Sequence, residues 1–357
     1  MQSMSGSVAT ISAKDLRAVV SRLFAAAGLA SADADLVADG LVEAELEGIA
    51  SHGVMLVDMY LERIRQGSIS VTGAPTIVSD REAAIVIDAA HTLGHVSAAR
   101  SIEIAIARAR SQGAGIVAVR HGFHFGTARR YAVTAADQGC IGIVACNTRP
   151  LMPAPGGAER VVGNNPLAIA IPVDGPIPLV LDMATSEAAM GKIRMAEKAG
   201  QAIPDNWAVD ADGAPTTDPT RAIAGMLLPA SGPKGFGLAL LIDLLCGLLS
   251  GGAFGRGVQP LYGDLSTPYD CSHLFIAIDV AHFGDLSQFR SRAAAAADAI
   301  RAGRRTPGVD RLFTPGEPEW QRRQDSGETV RLSEPVAAML VRCCNEWDVP
   351  HDVLSAA

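Results

Sequence analysis

The sequence predicts an α/β protein in which a central sheet is combined with helices from both ends of the chain. Helical periodicity fills the first part, short apolar strands alternate with helices between about 75 and 282, and helical periodicity then returns. The 357 residues, 48% hydrophobic and 19% charged, can bury a substantial core. We therefore expect an α/β domain over 74–284 and a mainly helical domain formed by 1–73 and 285–357.

Capping residues and glycines delimit the helices at the N-terminal end. Ser12 is placed to cap the first helix and Gly28 to end it, and Ser31 and Gly48 bound the second in the same way. A third helix is predicted over 53–66 from its apolar periodicity.

The remaining elements follow from apolar runs and their spacing. The predicted strands are 76–78, 84–88, 115–119, 141–146, 167–171, 179–182 and 273–279. The predicted helices are 96–111, 127–138, 234–249, 286–302 and 334–347, with a tail rich in proline and charge over 304–323.

Composition limits the partners that the protein can have. A net charge of −8 argues against nucleic acid and against an anionic membrane surface. The longest apolar candidate, 236–249, is interrupted by Asp243 and is shorter than the ~20 residues of a membrane span. Six scattered cysteines without metal-ligand spacing predict free thiols, a cytoplasmic protein and no metal site. We therefore expect a small-molecule partner.

One nucleotide-binding pattern is discarded because of its context. Residues 113–118 match G-x-G-x-x-G/A, which binds a pyrophosphate only between a strand and the start of a helix. Here a predicted helix precedes the pattern and a predicted strand follows it. Any nucleotide must therefore be bound by a fold other than the Rossmann fold.

Ser51-His52-Gly53 is the first candidate site, between an acidic and an apolar helical segment. A histidine held at such a position can take up or release a proton near neutral pH. The alternative is that Ser51 caps a helix and His52 is an ordinary surface residue.

Three later segments also carry polar side chains at element boundaries. His124 lies in a glycine-containing loop between a strand and a helix, and Asp182 ends an apolar strand before Thr185 and Ser186. Lys234 lies at a helix start, where free N–H groups bind anions. The alternatives are a histidine bonded to loop carbonyls, a capping aspartate and a solvated lysine.

These segments, in this order, resemble the malate/L-lactate dehydrogenase family that lacks a Rossmann fold. The family also includes ureidoglycolate dehydrogenase, diketogulonate reductase, sulfolactate dehydrogenase and the reductase of piperideine- or pyrroline-2-carboxylate. The resemblance covers nearly the whole chain, and its motifs are Gly48-x-x-Ser51-His52-Gly53-Val54, His124-Phe125-Gly126, Asn147-Thr148 through Pro155-x-Gly157, Gly163-x-Asn165-Pro166, Leu181-Asp182-Met183-Ala184, Lys234-Gly235-Phe236-Gly237, Leu248-Leu249-Ser250-Gly251, Cys271 through Asp279 and Pro315-Gly316-Glu317.

The resemblance implies a homodimeric oxidoreductase that uses NAD or NADP, with its active site near the subunit interface. It implies a non-Rossmann nucleotide-binding α/β domain and a helical domain built from both chain ends. His52 would be the catalytic acid or base, Ser51 and Asp182 its hydrogen-bonding partners, and His124 a substrate contact. A neighbouring carboxylate would raise the pKa of His52. The cofactor would be held by Met183, Ala184, Thr185, Ser186, Lys234, Gly235, Gly316 and Glu317.

The chain departs from the family pattern at two positions. Leu56 stands where many relatives have an arginine that pairs with the substrate carboxylate, and Arg129 stands where relatives usually have glycine. We hypothesise that Arg129 or Arg149 anchors an acidic substrate instead. The alternatives are that both are surface arginines, or that the substrate is held by backbone amides.

The predicted reaction transfers hydride between a nicotinamide and a 2-oxo acid or 2-hydroxy acid. Reduction of a cyclic imino acid with NADPH is the alternative within the same class. A Ser51–His52–Asp182 hydrolase is disfavoured because adjacent side chains rarely face each other and no nucleophile elbow is present. A binding protein without activity remains the other possibility.

Overall fold

The computed structural model describes residues 8–355 and confirms the α/β class. Its strands are β1 (Val8–Ser12), β2 (Thr76–Arg81), β3 (Ala84–Asp88), β4 (Ala114–Gly122), β5 (Cys140–Cys146), β6 (Leu167–Ile171), β7 (Leu179–Met183), β8 (Ala208–Val209), β9 (Met226–Leu227), β10 (Cys271–Asp279) and β11 (Thr329–Ser333).

Helices surround these strands. They are α1 (Ala13–Ala26), α2 (Ser31–Leu46), α3 (Val57–Arg65), α4 (Gly94–Gln112), α5 (Ala128–Asp137), α6 (Met190–Lys198), α7 (Pro219–Ala224), α8 (Pro233–Ser250), α9 (Leu286–Arg301), α10 (Glu317–Ser326), α11 (Glu334–Glu346) and α12 (Asp352–Ser355). Short 3₁₀ turns at Ala50–His52 and Val54–Leu56 precede α3.

Seven strands form the central sheet in the order β2-β3-β4-β10-β5-β6-β7. Only the β3–β4 pair is parallel, and the other pairs are antiparallel. Helices α4 and α5 contact one face, and α8 contacts part of the other. A doubly wound Rossmann sheet is mostly parallel, so this topology confirms the prediction of a non-Rossmann fold.

The discarded G-x-G-x-x-A pattern is found in the predicted context. Gly113 ends α4 in the left-handed conformation with φ of +84°, and β4 begins at Ala114. The backbone N–H groups of the pattern therefore belong to a helix end and a sheet strand. No helix begins there to receive a pyrophosphate.

The two ends of the described chain meet in a small sheet. Strands β1 and β11 pair antiparallel from Val8↔Ser333 to Ser12↔Thr329, and α11 contacts both strands and α3. Helix α9 instead lies beside the central sheet, where Arg290 bonds to the Asp137 carbonyl. The domain boundaries at 73/74 and 284/285 stay predictions, since one buried apolar cluster extends through both regions.

The observed helix boundaries follow the capping predictions except at the start of α2. The Ser12 hydroxyl accepts a hydrogen bond from the Asp15 N–H at 3.0 Å, as a cap does, and Gly28 and Gly48 adopt left-handed conformations after their helices. The prediction that Ser31 caps α2 is wrong. Ala30 occupies the N-cap, and Ser31 is already helical.

Sequence patterns missed the short elements between the sheet strands and near the C-terminus. Helices α6 and α7 with the β8–β9 pair enclose a small separate core, and the tail predicted over 304–323 contains the start of α10. Strand β11 was also missed because it is stable only against β1.

Helix α8 is the one described helix that is long and apolar enough to cross a membrane, judged by length and composition. In this fold Ile242 and Cys246 pack against the sheet. The Asp243 carboxylate accepts hydrogen bonds from the Asn147 amide at 3.0 Å and the Gly255 N–H at 2.9 Å. Helix α8 is thereby attached to the sheet along one side only, and its other side exposes leucines.

Candidate active site

His52 lies in a break between helices rather than at a regular helix start. The chain passes through two 3₁₀ turns, and the carboxylate of Glu45 accepts the Val54 N–H at 2.9 Å. A Cβ added at Gly53 would lie 2.1 Å from Glu45 Oε1, so a larger residue here would displace the Glu45 side chain. The carboxylate of Glu45 therefore holds the backbone at this break, two residues after His52.

Two histidines from distant segments face each other. The rings of His52 and His124 have centroids 5.2 Å apart and an interplanar angle of 31°. Ser51 Oγ lies 2.9 Å from His52 Nδ1, as the resemblance implied. On the other side, Tyr60 Oη lies 2.6 Å from His124 Nδ1. Hydrogen bonds thus engage one nitrogen of each ring, which leaves the Nε2 atoms for a ligand.

The expected direction of the His52 pKa shift is wrong. Burial lowers the pKa of His52 to about 4, because desolvation disfavours the imidazolium and no carboxylate among residues 8–355 pairs with the ring. His52 is nevertheless only partly shielded from solvent. At neutral pH the resting ring is therefore neutral and can accept a proton.

Asp182 has a different partner from the predicted one. Its carboxylate accepts the backbone N–H of Arg129 at 3.0 Å, at the start of α5, and no hydrogen bond to His52 is present. Surrounding protein raises the pKa of Asp182 to about 6 by desolvation, opposed by that N–H bond, although solvent still reaches the side chain. The role of Asp182 as a direct partner of His52 thus has no support in these contacts.

Arg129 is buried and already paired. Its side chain is 5% exposed and its Nη1 lies 3.1 Å from Glu47 Oε2, an ion pair without hydrogen-bond geometry. Burial raises the pKa of Glu47 to about 7, although Arg129 opposes the shift. Arg129 therefore connects α2 to the start of α5, and its charge is not free for a substrate.

Arg149 is the predicted anchor that retains an unpaired charge. It is half-buried, and no ion pair or hydrogen bond of its side chain is present within residues 8–355. Burial lowers its pKa, and the nearby cations Arg160 and Arg194 lower it further. Tyr269, which also interacts with Arg149, packs against Phe123 with centroids 5.8 Å apart. The charge of Arg149 is thus felt near Tyr269, whose ring packs on Phe123, the residue before His124.

The predicted cofactor segments come together. The Ala230 N–H donates to the Thr185 carbonyl at 2.9 Å, and a Cβ added at Gly235 would lie 2.1 Å from the Ala230 carbonyl. The turn over 183–186 therefore lies next to the start of α8. Lys234 is exposed there, and no side chain caps the helix.

Gly316 and Glu317 have structural contacts instead of free groups. Gly316, with φ of +87°, packs directly on Val180. The buried Glu317 carboxylate accepts hydrogen bonds from Arg301, Arg311 and Thr314, which hold its pKa at about 2. The Glu317 carboxylate is therefore unavailable to a cofactor, although Gly316 lies against β7, the strand that contains Asp182.

Several residues of the site were missed because sequence spacing carries no sign of them. Tyr60, Glu45 and Glu47 have the pattern of ordinary helical residues in the sequence. The fold brings Tyr60 to His124, Glu45 to the Val54 N–H and Glu47 to Arg129. Apolar alternation likewise hid a buried trio of possible metal ligands on β5 and β10, whose ligand atoms lie within 4.8 Å of one another. These are Cys146, Cys271 and His273.

The fold and the site together define a non-Rossmann α/β protein with two histidines facing each other at its candidate site. A family model described as malate/L-lactate dehydrogenase matches residues 11–341. The chain belongs to this family, as the resemblance predicted.

Named relatives match over most of their length. Malate dehydrogenase of Pyrococcus abyssi is 36% identical over 311 residues, 85% of each chain. Ureidoglycolate dehydrogenase (NAD(+)) of Escherichia coli O157:H7 is 35% identical over 93% of this chain and 95% of that protein. The solved structure of sulfolactate dehydrogenase from Methanocaldococcus jannaschii superposes with a TM-score of 0.91 at 33% identity, over 96% of this chain and 98% of that one.

Proposed function

We propose that this protein is an NAD(P)-dependent oxidoreductase that interconverts a 2-hydroxy acid and a 2-oxo acid. The observation that carries the proposal is the facing pair of His52 and His124, each hydrogen-bonded through Nδ1 and free at Nε2. This arrangement offers two nitrogens to one substrate oxygen. Proton transfer at such an oxygen is the part of the reaction that a protein must supply.

His52 is the proposed acid–base group. Its neutral ring accepts the hydroxyl proton when a 2-hydroxy acid is oxidised, and its protonated ring returns that proton on reduction. Ser51 holds Nδ1 at 2.9 Å and so orients Nε2. When bound, a nicotinamide supplies or receives the hydride.

The residues near the start of α8 fit a dinucleotide. The 18-residue helix presents an uncapped N-terminus with Lys234 beside it. Thr185 Oγ1 is buried without a hydrogen-bond partner within residues 8–355, which is an unmet polar requirement next to that helix. We propose that Met183, Ala184, Thr185, Ser186, Lys234, Gly235 and Gly316 line the cofactor site, with NAD or NADP as the group bound.

We further propose a homodimer that closes the site from outside. One face of the central sheet carries a row of half-buried or exposed aliphatic side chains paired strand to strand, and α8 packs against only part of this row. The row is Ile116, Ile276, Ile143, Ile169 and Leu181. The exposed leucines of α8 continue this apolar surface and have helical spacing; they are Leu238, Leu241, Leu245 and Leu248.

The dimer proposal predicts that a charge on this surface separates the subunits. Leu245→Glu places a carboxylate on a 47% exposed leucine, so the folded monomer tolerates it while a buried interface does not. Sedimentation equilibrium should show a dimer for the parent and a monomer for the variant. Val353→Glu, at an exposed valine on α12 near the C-terminus, is the control. A parent protein that sediments as a monomer would contradict the proposal.

The six cysteines of the structure are all free and buried. Free thiols are the usual state in a reducing compartment, and they support the proposal of a cytoplasmic protein.

The function is tested by mixing the purified protein with NADH or NADPH and a panel of substrates, with absorbance at 340 nm as readout. Loss of reduced cofactor with a 2-oxo acid supports the main proposal. Loss only with a cyclic imino acid supports the alternative reductase. Absence of turnover with every pair, in both directions, would overturn the proposal of a dehydrogenase.

Arg149→Met should raise KM for an acidic substrate by about 10- to 100-fold, because one charge-assisted contact contributes about 1.5–3 kcal/mol. KM for the cofactor should change little. Arg256→Met is the matched control, since Arg256 is an exposed arginine paired with Glu159. Equal KM values for the Arg149 variant and the parent would remove Arg149 as the substrate anchor.

A further inference from the structure

Tyr60 contacts His124 at the ring nitrogen that does not face the proposed substrate. It lies on α3, is fully buried, and places its hydroxyl 2.6 Å from His124 Nδ1. Its ring is held by edge-to-face packing on Phe123, with centroids 5.2 Å apart, and by Phe24 at 6.4 Å. The hydroxyl therefore has little freedom to turn toward another partner.

The surroundings of the Tyr60 hydroxyl determine which group donates in the hydrogen bond between Tyr60 Oη and His124 Nδ1. Within residues 8–355, His124 Nδ1 is the sole hydrogen-bond partner of the Tyr60 hydroxyl. If Nδ1–H donated to Tyr60, the phenolic proton would be buried without an acceptor, at the cost of an unsatisfied donor. Donation from Tyr60 Oη to Nδ1 satisfies both groups.

The surroundings keep His124 neutral. Burial is the main cause that lowers its pKa well below the usual value, and the neighbouring His52, His95 and His273 lower it further. Burial also raises the pKa of Tyr60, so the phenol keeps its proton. A neutral imidazole that accepts at Nδ1 carries its proton on Nε2.

We infer that Tyr60 is a positioning residue that holds His124 in the Nε2–H form, so that His124 donates a hydrogen bond to the substrate and does not act as a base. The inference deepens the proposed function by dividing the work of the two histidines. His52 exchanges the proton, while His124 polarises the same oxygen or holds the adjacent carboxylate. Two identical side chains thus perform complementary tasks because different residues bond to their Nδ1 atoms.

The inference is tested on the ¹⁵N-labelled protein by long-range ¹H–¹⁵N spectra of the imidazoles, with His124→Asn used to assign the ring. At pH 7 we expect an unprotonated, hydrogen-bonded Nδ1 and a protonated Nε2. A protonated Nδ1 would overturn the inference. This readout needs no substrate, so it is independent of whether the proposed reaction is found.

Tyr60→Phe removes the donor while it preserves the ring. The Nδ1 signal should move to the position of a nitrogen without a hydrogen bond, and kcat/KM should fall about 3- to 10-fold. Tyr131→Phe is the control, because the buried Tyr131 hydroxyl donates to the Phe125 carbonyl at 2.7 Å in a separate aromatic cluster. That variant should leave the His124 signals unchanged. An unaltered Nδ1 signal in Tyr60→Phe would show that Tyr60 does not control the ring.

Discussion

Replacing His52 with alanine should lower kcat for oxidation of the 2-hydroxy acid by about 10²- to 10⁴-fold, the range that a general base contributes. The substitution removes the group that takes the hydroxyl proton, while KM for the cofactor should hardly change. His52 is only partly buried, so the variant should fold. Steady-state kinetics with both substrates, beside a thermal unfolding curve, separate a catalytic loss from a structural one.

The pH dependence provides a second test of His52. Because the pKa of His52 in the unliganded protein is about 4, the rate of oxidation should be nearly independent of pH above about 5. The rate should fall as the ring takes up a proton near pH 4. Reduction needs the protonated ring, so the rate of reduction should rise as pH falls from 7 toward 5. Ser51→Ala should cost only about 3- to 10-fold, since it removes one neutral hydrogen bond of about 1 kcal/mol. Activity of His52→Ala near that of the parent would remove His52 from the mechanism.

Replacing Glu47 with methionine should destabilise the protein by about 3–5 kcal/mol, because it leaves the buried Arg129 guanidinium without a counter-ion. Arginine cannot lose its proton to escape this cost. Arg129→Met should cost less, since the remaining Glu47 carboxyl can take up a proton. Its pKa in the folded parent is already raised to about 7. Urea unfolding at constant pH measures both changes.

The sign of the pH effect follows from linkage. A carboxyl whose folded pKa exceeds its unfolded value loses stability as pH rises through the folded pKa. Without Arg129 the pKa of Glu47 rises further, so the deficit of Arg129→Met should grow between pH 6 and pH 8. The double variant with methionine at both positions should recover most of the loss, as replaced buried ion pairs often do. Equal losses for Glu47→Met and Arg129→Met at every pH would contradict this account.

The same variants distinguish the two arginines that were hypothesised to bind substrate. Arg129→Met should reduce stability and leave KM for the substrate unchanged, whereas Arg149→Met should do the opposite. Both arginines follow short motifs and look equivalent in the sequence. Only the fold brings Glu47 of the preceding helical region next to one of them.

Local signals predicted most of the central sheet and the helices that cover it. The strands 84–88 and 167–171 were predicted with the boundaries that the structure has, and 141–146 differs from it by one residue, since apolar periodicity and glycine stops are properties of neighbouring residues. Strand β11 and helix α7 could not be predicted in this way. They are short, and their stability comes from partners that are distant in the sequence.

The sequence by itself determined the family, the non-Rossmann topology and the identity of His52 and His124 as the central polar residues, because short motifs in a fixed order carry that information. Tertiary structure decided what each side chain is paired with. In the folded protein the Asp182 carboxylate accepts the Arg129 N–H, Glu47 forms an ion pair with Arg129, and the Tyr60 hydroxyl lies within hydrogen-bond distance of His124. Burial also lowered the pKa of His52, which a neighbouring carboxylate was expected to raise. The physical reason is that desolvation and hydrogen-bond partners depend on which distant segments pack together, and residue spacing along one chain does not record that.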